Sequence, residues 1–190
     1  MKKYISLLVM GLALSASVQA MEIFGGVQAG LRTVSDSEIK EVYGNGFCFF
    51  PYLAVNPWKG VVAGLGYELG YSKSGQIGLF EENTTLKVSG FEFFAGYQMP
   101  LGFVTPYALA GLGLFSCKQT VDSPAARDVD ASKTTFFFAL GAKVHPLPRM
   151  KSLFATVEFK YIPLSVKPYD EAVDLGGMRL TLGLGYAFGL

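Results

Sequence analysis

Met178-Arg179-Leu180-Thr181-Leu182-Gly183-Leu184-Gly185-Tyr186-Ala187-Phe188-Gly189-Leu190 alternates with a period of two. Met178, Leu180, Leu182, Leu184, Tyr186, Phe188 and Leu190 fall on one face; Arg179, Thr181, Gly183, Gly185, Ala187 and Gly189 fall on the other. Successive side chains of a strand point to opposite sides, so this stretch reads as a strand with one broad apolar face and one small, polar face. The same division recurs upstream. In 61–72, Val61, Ala63, Leu65, Tyr67, Leu69 and Tyr71 oppose Val62, Gly64, Gly66, Glu68, Gly70 and Ser72. In 152–162, Leu153, Ala155, Val157, Phe159 and Tyr161 oppose a face that holds Thr156, Glu158 and Lys160. Phe136, Phe138, Leu140, Ala142 and Val144 oppose Phe137, Ala139, Gly141 and Lys143.

Extended along the chain, the pattern predicts eight strands at about 22–34, 47–55, 61–72, 85–98, 106–117, 133–144, 152–163 and 177–190. Two do not alternate cleanly: Pro51 interrupts the second, and the fifth changes phase near Ala110–Gly111, where a bulge is expected. The connections carry the topology. Those at 56–60, 99–105 and 145–151 are short and turn-like, whereas 35–46, 73–84, 118–132 and 164–176 are longer and polar. Short and long alternate strictly, as in an antiparallel up-and-down transmembrane β-barrel with short periplasmic turns and longer external loops. The even strand number places both termini on the periplasmic side.

A soluble eight-stranded barrel would carry its apolar face inside; a membrane barrel inverts this. Side-chain size separates the two. The polar face is rich in Gly, Ala, Thr and Ser, which fit the narrow lumen of eight strands. The Leu, Val, Phe and Tyr face is too bulky to fill that lumen from every strand. The apolar face is therefore expected to meet lipid. Tyr67, Tyr71, Tyr97, Tyr107, Tyr161, Tyr186, Phe188 and Trp58 are expected to form the interfacial girdles.

Residues 1–20 read as a secretory signal peptide: Lys2 and Lys3, an apolar run from Tyr4 to Leu14, then Val18 and Ala20 at the −3 and −1 positions of a cleavage site. That run is too short to cross a bilayer as a helix. The barrel domain is assigned to 21–190. Without Lys2 and Lys3 the sixteen basic residues become fourteen, against fifteen acidic ones, a balance of −1. Such near-neutrality argues against nucleic acid as a partner. Hydrophobic residues make up 51% of the chain and Gly numbers 23, yet beyond the signal no apolar run is long enough for a membrane helix.

The inward faces collect Arg32, Glu68, Glu92, Lys143, Glu158, Lys160 and Arg179. Charges in a narrow lumen must be paired. A static plug of salt bridges is favoured over a gated ion path, because eight strands leave an interior that side chains just fill. No enzymatic activity is expected. His145 is the only histidine and lies in a predicted periplasmic turn, away from any nucleophile at the outer rim. One His and two separated Cys give no metal cluster, and the Gly-x-Gly pairs lie inside strands rather than before a helix, so no cofactor is expected. Cys48 and Cys117 read as two separate buried thiols; a disulfide would need both to point inward and reach across.

Thr105-Pro106-Tyr107 followed by Gly111-Leu112-Gly113, and the ending Gly183-Leu184-Gly185-Tyr186-Ala187-Phe188, resemble the OmpA-like and opacity-protein-like outer-membrane β-barrel family. The resemblance in organisation covers 21–190. It implies a location in the bacterial outer membrane, contact with outer-membrane lipid and lipopolysaccharide, and handling by periplasmic chaperones and the barrel-assembly machinery. In that family the last strand ends on an aromatic residue read by this machinery; here the chain ends Phe188-Gly189-Leu190, with Leu190 in the outward parity. The resemblance also implies a surface-interaction role, adhesion to a host surface molecule, through external loops with charges of both signs such as Glu38, Lys40, Lys118 and Asp130. A purely structural role, and a narrow pore or small-molecule transporter, stay open beside it. No cell-wall-binding domain is expected in this chain.

Overall fold

The computed structural model describes residues 22–77, 82–122, 128–145, 152–167 and 173–189. The signal-peptide assignment and the parity of Leu190 lie outside the described residues. Among the described residues ten strands and one helix follow in the order β1 (Glu22–Arg32), α1 (Ser37–Tyr43), β2 (Gly46–Trp58), β3 (Val61–Ile77), β4 (Glu82–Gln98), β5 (Val104–Val121), β6 (Val129–Val144), β7 (Leu153–Ile162), β8 (Ser165–Val166), β9 (Val173–Asp174) and β10 (Gly177–Gly189). Eight of them close into one antiparallel barrel in the order β1-β10-β7-β6-β5-β4-β3-β2. The first and last strands pair continuously from Glu22↔Gly189 to Arg32↔Arg179, which removes the free edges an open sheet would expose. The end with the short connections is called the turn end below, the opposite one the loop end.

The two faces separate as alternation predicts. On β10, Leu182 is 67% exposed and its neighbour Thr181 is 1% exposed. Phe136, Phe138 and Leu140 point out while Phe137, Ala139 and Lys143 are buried. The lumen is not filled by small residues alone. Phe24, Phe50, Phe94, Phe115, Phe137 and Phe154 all point inward and are buried. Their rings lie over glycines of neighbouring strands: Phe50 against Gly66, Phe94 against Gly64, Phe137 against Gly111, Phe154 against Gly185. Missing side chains on one strand thus make room for aromatic rings from the next, and the core packs as alternating large and small.

Four expectations are corrected. The phase change falls in β3, not β5: the β3–β4 register slips between Glu68 and Tyr71, at Gly70. Beyond that bulge Tyr71 turns inward and is buried, so it leaves the proposed girdle. β5 keeps one phase and one register throughout; its apparent break arose from Leu109, an apolar residue of inward parity. On that unbroken strand Tyr107 is also buried and inward rather than interfacial. The long connections, lastly, are not plain polar loops. Strands β3 to β6 run well into the second and third, the first holds α1, and the fourth holds the β8–β9 ribbon.

Candidate functional site

Strand register places three cations in a row. Arg32 on β1 pairs with Arg179 on β10, which pairs with Lys160 on β7. Side by side on one wall, like charges repel. Their partners come largely from the facing wall, Glu68 on β3 and Glu92 on β4, with Glu158 on β7 just below. Arg32 Nη1 donates to Glu68 Oε1, and Lys160 Nζ donates to Glu92 Oε2. Arg179 is the hub: its Nη1 lies 2.7 Å from Glu68 Oε2 and 2.8 Å from Glu92 Oε1, and its Nη2 is 3.7 Å from Glu158 Oε1. Lys160 Nζ also stands 3.3 Å from Glu158 Oε1. Three cations meet three carboxylates, and Arg179, Glu68 and Glu92 have no exposed surface at all. Balanced, hydrogen-bonded charge is the condition under which such a layer persists in a low-dielectric interior.

Aromatic faces complete the layer. Lys160 Nζ sits 4.4 Å from the Phe50 ring centroid and 4.5 Å from that of Phe137. The Arg179 guanidinium lies 4.3 Å from the Phe50 centroid, and that of Arg32 5.4 Å from Phe115. These contacts use the negative ring face and exclude water from the ion pairs. Tyr107 donates to Glu158 Oε2 at 3.1 Å. Neither Phe50 nor Tyr107 was readable as a lumen residue: Pro51 masks the alternation of β2, and the false phase break masks that of β5.

Of the seven charges expected in the lumen, the structure joins Arg32, Glu68, Glu92, Glu158, Lys160 and Arg179 into this layer and leaves Lys143 out. Lys143 lies towards the turn end, where its Nζ donates to Gln98 Oε1 at 2.7 Å and stands 3.3 Å from the Phe24 ring centroid. Gln98 shares the even parity of Glu92 on β4, a signal that would have placed it inside.

The loop end is covered. Asp36 caps α1, accepting from the Glu38 and Ile39 amides at 2.9 and 3.2 Å. From the last turn of α1, Tyr43 reaches down to Thr84 Oγ1 and to Gln119 Nε2, each at 2.9 Å. Leu164, Val166 and Leu175 bury themselves beside it. Cys48 and Cys117 both point inward, and both are buried free thiols. Among the described residues no group of three His, Cys, Asp or Glu is arranged to hold a metal.

This architecture recurs in solved structures at low sequence identity. Ail, the attachment invasion locus protein of Yersinia pestis, crystallised with the heparin analogue sucrose octasulfate, superposes with a TM-score of 0.57 and 17% identity, over 89% of this chain and 99% of that one. Neisserial surface protein A gives a TM-score of 0.61 and 15% identity over 88% of this chain and 97% of its own. The N-terminal β-barrel domain of Pseudomonas aeruginosa OprF gives 0.53 and 13%, over 90% and 100%. These likenesses are of fold. No curated protein matches the chain in sequence. A family model does, that of the outer membrane protein beta-barrel domain, over residues 6–188. The chain therefore belongs to the outer-membrane β-barrel family, and its strands cross the bacterial outer membrane.

Proposed function

We propose that this protein is a non-conducting surface barrel, with a structural or adhesive role exerted through its loop end. The observation that carries the reading is the closed lumen: a charge-balanced layer backed by aromatic rings, under a cap of α1 and the β8–β9 ribbon. What the loop end displays is a wall of strands. Pairing of β6 with β7 stops at Phe138↔Tyr161, whereas β5 and β6 stay paired out to Gln119↔Val129. The projecting part of β4, β5 and β6 presents Lys87, Lys118, Asp130, Ser132 and Thr134, with Lys118 and Asp130 paired at 3.1 Å. Mixed charge and hydroxyls suit hydrated partners: lipopolysaccharide around the foot of the wall and host surface molecules at its tip. Long connections outward and short turns inward is the usual disposition, which leaves both termini in the periplasm. Periplasmic chaperones and the barrel-assembly machinery would then handle the chain before insertion. No catalytic role is proposed: the sole histidine, His145, lies at the turn end, far from the hydroxyls displayed at the loop end.

Planar-bilayer recording of the refolded protein tests the closed lumen. The expected trace shows no persistent conductance steps; steps abolished by Glu68→Gln would overturn the reading. A second reading, a narrow transporter, draws on two spaces below the charged layer. One is a vestibule of about 520 Å³ open at the turn end; the other is an internal cavity of about 20 Å³, with room for about one water, on the far side of the Lys143–Gln98 bond. Solute-dependent swelling of liposomes carrying the protein would favour this second reading.

A further inference from the structure

We propose that the turn-end vestibule is a binding site for a monocarboxylate group, held by Lys143 together with His145. The vestibule, about 520 Å³, is lined by Glu22, Asn56, Gln98, Thr105, Lys143 and His145, with ring walls from Phe103 and Phe154. That volume falls within the range of small-molecule sites. Its charge is incomplete. Lys143 is only 8% exposed, and its one hydrogen-bond acceptor is the neutral amide oxygen of Gln98. No carboxylate lies within ion-pair distance of it among the described residues, while the other six buried charges match three against three. A buried cation with neutral partners alone is a poor end state; an anion arriving from the vestibule completes it.

A second polar group of the vestibule lining also lacks a partner. His145 Nδ1 is buried and has no hydrogen-bond partner among the described residues. The ring is held in place: its centroid lies 6.0 Å from that of Phe154 at 60°, and the His145 backbone N–H donates to the Phe103 carbonyl at 2.9 Å. Both residues line the vestibule, and with Nδ1 protonated the imidazole and the Lys143 ammonium offer two donors to the two oxygens of a carboxylate. Glu22 sets the charge of the ligand. Beyond ion-pair distance of Lys143 but in the same vestibule, it penalises a second negative charge, so a carboxylate is preferred to a phosphate dianion. The space left beyond the carboxylate and the two ring walls accepts a small side chain, as at the free C-terminal end of a short peptide.

The test uses the full barrel refolded in detergent micelles, where the turn end faces solvent. Alanyl-alanine, its C-terminal amide, acetate and inorganic phosphate are titrated in turn, read by the amide shifts of Gly102 and Thr105 and by the ring shifts of His145. Alanyl-alanine and acetate are expected to move these signals saturably. The tighter of the two identifies the source as a peptide end or a free small acid. The amidated dipeptide is expected to leave them in place. Lys143→Met keeps the apolar stem and removes the charge, and should weaken binding about tenfold or more. Gln98→Glu gives Lys143 a carboxylate of its own and should weaken binding similarly without loss of fold. Equal affinity for the amide, tighter binding of phosphate, unchanged binding in both variants, or no saturable shift with either carboxylate would each overturn the assignment.

Discussion

Arg179 shows how much one residue organises in this lumen. It touches all three carboxylates of the layer, so removing it leaves two buried cations against three buried anions. Arg179→Met is expected to destabilise the barrel by about 3–5 kcal/mol, the usual cost of leaving a buried charge uncompensated. Urea unfolding in micelles measures it. Adding Glu92→Gln rebalances the layer at two against two and should recover part of that loss; a purely additive further loss would show that charge balance is not what matters. Individual charges were legible because parity alone put Arg32, Glu68, Glu92, Glu158, Lys160 and Arg179 on inward faces. Their pairing was not. Arg179 and Glu92 are 87 positions apart, and nothing local in either segment states that they meet.

At the scale of elements, β3 carries a change of phase that alternation did not reveal. Gly70 has φ +100°, a conformation side-chain-bearing residues rarely adopt, and the register slip it permits swings Tyr71 from the lipid face into the lumen. There Tyr71 donates to the Gly44 carbonyl at 3.1 Å, just beyond α1, and so ties the capping segment to the barrel wall. An added methyl at Gly70 would meet no atom nearer than 3.5 Å, so a substitution there tests backbone strain without crowding. Gly70→Ala should cost about 1–3 kcal/mol, read by equilibrium unfolding. Faster amide exchange in α1 should accompany that loss, because the bulge positions Tyr71. Wild-type stability and exchange would mean that the bulge is dispensable. A single bulge is hard to see in sequence, since Tyr is at home on either face: its ring suits lipid headgroups and its hydroxyl suits a buried acceptor.

The whole molecule is an inside-out solution to burial. Outward Leu, Val and Phe meet lipid, so their exposure in the isolated chain marks the membrane band. Leu182, near the middle of β10, is among the most exposed of them. Leu182→Arg should destabilise the folded barrel in bilayers by about 2–4 kcal/mol, the depth-dependent cost of a cation on the lipid face. Reversible unfolding from phospholipid vesicles measures this, and a negligible effect would place that face away from lipid. Strand number, the facing of most strands and the membrane class were all open to reading from the chain alone. Bilayer and lumen make opposite demands on alternate residues, and that conflict is written locally, two positions at a time. Only closure of the barrel decided the rest: which wall supplies the carboxylates, why Lys143 stands apart, and where β3 changes phase. Those outcomes depend on the stagger between strands distant in sequence, and on which side chains meet across the lumen once β1 pairs with β10.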